Sequence, residues 1–128
     1  MLFGHLHTVF GWRLHVGNRV NIRSLANFPC QANGAEMLRL ACCMIVEAGI
    51  KLIAPIHDAI LIEADATSIN RGVSQAQQLM LEAGKVVLDG FELRSDAEVI
   101  AYPDRYSDPR GQSFWERITS ARDEVVSA

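Results

Sequence analysis

The chain has 128 residues, one domain's worth and enough to bury a core without disulfides or structural metals. No apolar run reaches the roughly 18 to 20 residues that a membrane-spanning helix needs, and no charged, apolar leader opens the chain, so the expected protein has no membrane partner and is cytoplasmic. The formal net charge of −3 argues against a uniformly basic nucleic-acid binder, yet residues 1–51 carry +3 and residues 52–128 carry −6, an asymmetry that also arises by chance and assigns no partner by itself.

In chain order, His5 and His7 stand near the N-terminus, where incidental histidines are commoner than metal ligands. Residues 9–16, Val-Phe-Gly-Trp-Arg-Leu-His-Val, are rich in strand formers and interrupted by Gly11, which predicts a bent strand or a hairpin. Gly17-Asn18 marks a turn. From Asn33 to Ala48 the polar residues Glu36, Arg39 and Glu47 fall with Cys43 at spacings of three and four, a thin stripe on an otherwise apolar helix that should be mostly buried. Gly49 suits its left-handed cap. Cys30, Cys42 and Cys43 match neither a zinc spacing nor a disulfide framework and read as buried thiols.

Leu52 to Ala64 is apolar except for His57-Asp58 at its middle and Glu63 near its end. A hairpin folding at His57-Asp58 gives two strand-length arms, with Pro55 restricting its arm to an edge or a local bulge. Thr67 or Ser68 can cap the next helix, whose residues Ile69, Val73, Ala76, Met80, Ala83 and Val87 form one apolar seam closed by Asp89-Gly90. Phe91, Leu93, Ser95, Ala97, Val99 and Ala101 alternate with charged residues over much of their length, the period-two pattern of a strand with one wet face. Tyr102-Pro103-Asp104 and Asp108-Pro109-Arg110-Gly111 are turn chemistry. A short final helix follows from about residue 112, in which Phe114 and Trp115 cover the sheet or anchor a partner. The predicted class is α+β: a small, largely antiparallel sheet with a central hairpin, covered by helices.

An aspartate between two apolar strands invites two readings. It is a turn residue bonding its own backbone, or a rigidly held carboxylate for Mg²⁺, a hard ion usually bound by one or two carboxylates plus substrate phosphates. Nothing in the chain matches a phosphate-cradling glycine loop or a nucleophile elbow.

The stretch Leu52-Ile53-Ala54-Pro55-Ile56-His57-Asp58-Ala59-Ile60-Leu61-Ile62-Glu63 resembles the third palm motif of family A DNA polymerases, an apolar strand, a His-Asp-Glu turn and a second apolar strand. Upstream, Arg23-Ser24-Leu25-Ala26-Asn27-Phe28-Pro29-Cys30-Gln31 is similar to that family's Arg-x-x-x-Asn-x-Pro-x-Gln segment. Ala32 to Ala41 resembles the small-residue helix start that follows it, and Thr8-Val9-Phe10-Gly11-Trp12-Arg13 resembles a Thr-x-x-Gly-Arg-Arg hairpin. The four landmarks occur in the family's order and cover about Thr8 to Tyr102, with wording closer to a phage-like or plasmid-like branch.

The resemblance implies the C-terminal palm portion of a DNA-directed DNA polymerase, a nucleotidyltransferase of replication or repair. Asp58 would be a catalytic Mg²⁺ ligand, with His57 near the primer end. Arg23, Asn27 and Gln31 would contact the minor-groove side of the new pair, where acceptors occupy similar places in all four pairs; Arg13 would contact the DNA backbone. Without the family, the Arg23, Asn27 and Gln31 trio would read as helix capping and surface hydrogen bonding. The expected partners are primer-template DNA, a deoxynucleoside triphosphate and an upstream polymerase segment. That segment would carry the first palm aspartate and the fingers helix, which do not occur in this sequence. Two departures stand out: Ala59 replaces the family's glutamate, and Trp12 stands where an arginine is usual. The alternative is a non-catalytic palm remnant or accessory DNA-binding module.

Overall fold

A computed structural model describes residues 4–17 and 21–126, so Asn18 of the expected turn lies outside the described residues. The chain divides into two compact units, Met1–Ala97 and Glu98–Ala128. Among the described residues no helix is long and apolar enough to cross a membrane.

The first unit opens with a hairpin of β1 (His5–His7) and β2 (Arg13–His15), antiparallel with His5 opposite His15 and His7 opposite Arg13. The strand-forming stretch thus divides, with Val9 to Trp12 in the turn. Gly11 sits at φ 87°, a backbone region that favours glycine.

Helix α1 (Ile22–Glu47) begins eleven residues before the expected Asn33. Asn21 is its N-cap, its side chain accepting from the Arg23 N–H at 2.9 Å. The helix continues through Pro29, which removes one intrahelical donor. Its end follows the expectation: Gly49 adopts φ 76°, its N–H donates to the Val46 carbonyl, and the Ile50 N–H donates to the Ile45 carbonyl. Those paired bonds form a Schellman cap.

Strands β3 (Lys51–Ile56) and β4 (Ala59–Glu63) form the central hairpin, with Ile56 opposite Ala59 and His57-Asp58 as a two-residue loop. The register shifts between Leu52 and Ala54, leaving Ile53 as a bulge beside the proline arm. Leu52, Ala54, Ile60 and Ile62 are half-buried, and the hairpin packs on α1.

Helix α2 (Ile69–Val87) lies along α1, and its expected seam is the one it uses: Ala76, Ala83 and Val87 are buried against a core that includes Ala41 and Ile45 of α1. Ser68 occupies the N-cap position without capping through its side chain; its hydroxyl instead donates to the Asp65 carbonyl. Asp89 and Gly90, at φ 52° and 88°, close the helix, with the Gly90 N–H donating to the Lys85 carbonyl.

The expected strand over residues 91–101 does not form. A strand needs a paired neighbouring edge, and residues 91–101 join neither of the two described two-stranded sheets. Residues 91–97 are instead held to α2 through side chains: Gln77 Nε2 donates to the Ser95 carbonyl at 2.6 Å, and Lys85 Nζ lies 2.9 Å from Glu92 Oε1. The α+β class holds, with two small antiparallel hairpins in place of one larger sheet.

In the second unit a single 3₁₀ turn (Pro109–Gly111) leads into α3 (Gln112–Val126). The Asp108 carboxylate accepts from the Arg110 N–H and pairs with its guanidinium at 2.7 Å, which holds that carboxyl below its usual range. Phe114 and Trp115, expected to cover apolar surface, are exposed.

Candidate functional site

The β3–β4 hairpin delivers His57 and Asp58 to an exposed tip. His57 adopts φ 55° and Asp58 does not share a positive φ, the pattern of a hairpin turn whose first loop position favours glycine. A histidine there is held in a strained backbone conformation that costs about 1 kcal/mol or more. Neither His57 nor Asp58 makes a side-chain hydrogen bond or ion pair among the described residues. The turn-aspartate reading, in which Asp58 bonds its own backbone, therefore finds no such bond. Its two carboxylate oxygens are free to accept.

Glu63, the other acid of the hairpin, sits opposite Lys51 and is ion-paired to it at 2.7 Å. The donor set at the tip is one carboxylate. That suits a hard, oxygen-seeking cation as a single ligand and does not make a closed site. Among the described residues no group of three or more His, Cys, Asp or Glu side chains is placed to hold a metal.

Arg23, Asn27 and Gln31 fall four residues apart on α1, so they share one face of its N-terminal half. All three are exposed, and among the described residues no side-chain bond joins them to one another or to Asp58. The Asn21 side chain caps α1, so capping does not account for the trio. Arg13 lies on a different element, exposed on β2.

A buried polar cluster that helical periodicity did not anticipate lies under the β1–β2 turn. Glu36, expected on the wet stripe of α1, is only 2% exposed, because the β1–β2 turn covers it. Its Oε1 accepts from the Thr8 hydroxyl and its Oε2 accepts from the Phe10 N–H at 3.1 Å. Thr8, also 2% exposed, accepts through Oγ1 from the Trp12 N–H at 3.0 Å, and Asn33 Oδ1 accepts from the Val9 N–H at 3.0 Å. Two α1 side chains three residues apart thus clamp the whole turn. The available signal was that Glu36 is the sole acid between Met1 and Val46.

One turn further along α1, the Arg39 guanidinium lies over the Trp12 ring, 5.7 Å from its centroid. The cysteines also depart from expectation: Cys30 and Cys43 are exposed and Cys42 half-buried, all free. Burial, followed by the neighbouring Cys43, pushes the Cys42 thiol up. No family model, curated protein or solved structure matches the chain.

Proposed function

We propose that this chain is the C-terminal palm portion of a cytoplasmic DNA-directed DNA polymerase, resembling family A, that transfers deoxynucleotides onto a primer terminus. The observation that carries the reading is the exposed two-residue loop in which an unbonded Asp58 carboxylate is presented beside a strained His57. Strained backbone at a rigid tip is tolerated where the geometry serves a site. In this reading Asp58 contributes one ligand to Mg²⁺, which stabilises charge on the transferring phosphoryl group. A further polymerase segment supplies the other carboxylate and the contacts to the incoming triphosphate.

Two further observations support it. The outer face of the hairpin leaves Ile53, Ile56 and Leu61 at least 46% exposed, apolar surface suited to another packed segment. The Arg23, Asn27 and Gln31 stripe offers polar groups of the kind that test pair shape from the minor groove without reading sequence. The second reading, a non-catalytic palm remnant that binds DNA, draws on Ala59, which leaves the loop with a single carboxylate.

The two readings part on reconstitution. The purified chain with Mg²⁺, primer-template and deoxynucleotides is expected to be silent, because two-metal transfer needs ions roughly 3.5–4 Å apart held by more than one carboxylate. Added to an upstream fragment carrying the fingers and the first palm aspartate, it should restore template-directed extension. Failure to restore extension while still binding primer-template would favour the remnant.

A further inference from the structure

The turn between β1 and β2 is held more firmly than a surface turn requires. Its conformation is specified by a buried carboxylate, a buried hydroxyl and an asparagine side chain, all bonded to turn groups. A buried acid is costly unless such bonds satisfy it. What this arrangement presents outward is aromatic: Phe10 is 53% exposed and Trp12 61%. No ring contact joins the two among the described residues, so neither ring covers the other. Arg39 covers one face of the indole, and Phe10, Gly11, Trp12, Glu36 and Arg39 line an open depression.

Charge decides what such a surface attracts. From Met1 to Val46 the chain contains Arg13, Arg19, Arg23 and Arg39, and its single acid, Glu36, is buried under the turn. The exposed part of this region therefore presents no carboxylate. On the hairpin itself, the pairing of His5 with His15 and of His7 with Arg13 places three imidazoles and a guanidinium on one face of the ribbon. A polyanion with flat apolar rings satisfies both features. An acidic protein would meet the charge without needing the exposed indole face.

We propose that Trp12 is a stacking platform for an unpaired base of single-stranded DNA, with Arg39 against the opposite face of the indole and Arg13 on the ribbon facing the phosphates. The choice of DNA as the polymer rests on the polymerase reading; the stack rests on the turn. Base, indole and guanidinium then form a three-layer stack. Aromatic faces hold bases with little regard to sequence because every base offers a π-face.

The test uses the full chain in a Trp115→Phe background, which leaves Trp12 as the sole tryptophan. The probes are a short oligodeoxythymidylate and an abasic strand of the same length. The thymidylate strand should quench Trp12 emission, and Trp12→Leu should weaken its binding about 10-fold, within the range for loss of one base stack. Trp12→Phe should restore most of the affinity. The abasic strand should bind less tightly by a similar factor and leave the emission unchanged. Equal binding of both strands, or unaltered binding by Trp12→Leu, overturns the stack and leaves the polymerase reading standing. If neither strand binds the parent chain, the proposal fails, and the polymerase reading is judged separately by reconstituted extension, which does not monitor Trp12.

Discussion

Replacing Glu36 by alanine should release the β1–β2 hairpin from α1. The substitution removes both carboxylate acceptors at once, leaving the Thr8 hydroxyl, in a residue 2% exposed, without its acceptor and the Phe10 N–H without its partner. Breaking a hydrogen bond to a charged group costs about 1.5–3 kcal/mol, so losing two costs about 3–5 kcal/mol if they are partly coupled. Against a typical total stability of about 5–15 kcal/mol, that is enough to open the hairpin locally before the helices unfold. Glu36→Gln keeps one carbonyl acceptor and should cost roughly half as much. Hydrogen exchange at the Val9, Phe10 and Trp12 amides reads the opening directly, and Trp12 emission in a Trp115→Phe background reports it independently. Unchanged protection of those three amides in Glu36→Ala would refute the claim that this carboxylate clamps the turn.

Two further predictions concern α2 and the segment that follows it. Lys85, hydrogen-bonded to Glu92, holds the Glu92 carboxyl below its usual range. Because the folded value is depressed, the contact contributes fully above the unfolded value and is lost as pH falls through the folded one. An NMR titration of Glu92 should therefore show a low midpoint that rises in Lys85→Met, with acid loosening residues 91–97; no change in Lys85→Met would contradict the pairing. At Gly84, in the α2 interior, an added methyl would meet Leu93 Cβ at 3.9 Å and Met37 Sδ at 4.0 Å, ordinary contacts. Gly84→Ala should then raise stability by about 0.5–1 kcal/mol in urea unfolding, and a comparable loss would show that the site cannot accept the methyl.

What was legible in the sequence was mostly local. The α2 seam from Ile69 to Val87 follows from its own spacing, and Gly49 and Asp89-Gly90 mark their helix ends by backbone preference alone. The His57-Asp58 loop was visible because a polar pair interrupts two apolar arms. The Glu36 clamp was hidden because its partners Thr8 and Phe10 lie 28 and 26 residues away, and helical periodicity carries no information about what covers a face. The early start of α1 was hidden because the spaced polar stripe begins only at Glu36, whereas the helix is capped at Asn21 and runs through Pro29. Residues 91–101 show the limit of the period-two pattern: Phe91, Leu93 and Val99 are exposed, so the alternation of residue type brought neither alternating burial nor the neighbouring edge that makes a strand.

Asp58 carries the proposed function most directly. In the reconstituted enzyme, primer extension by Asp58→Ala should fall by several orders of magnitude, since a missing metal ligand removes several kcal/mol of transition-state stabilisation. The fold should be unaffected, because the Asp58 side chain is exposed and makes no side-chain hydrogen bond or ion pair among the described residues. Extension within a few-fold of the parent, by a folded Asp58→Ala chain, would contradict the assignment of this hairpin as part of a polymerase active site.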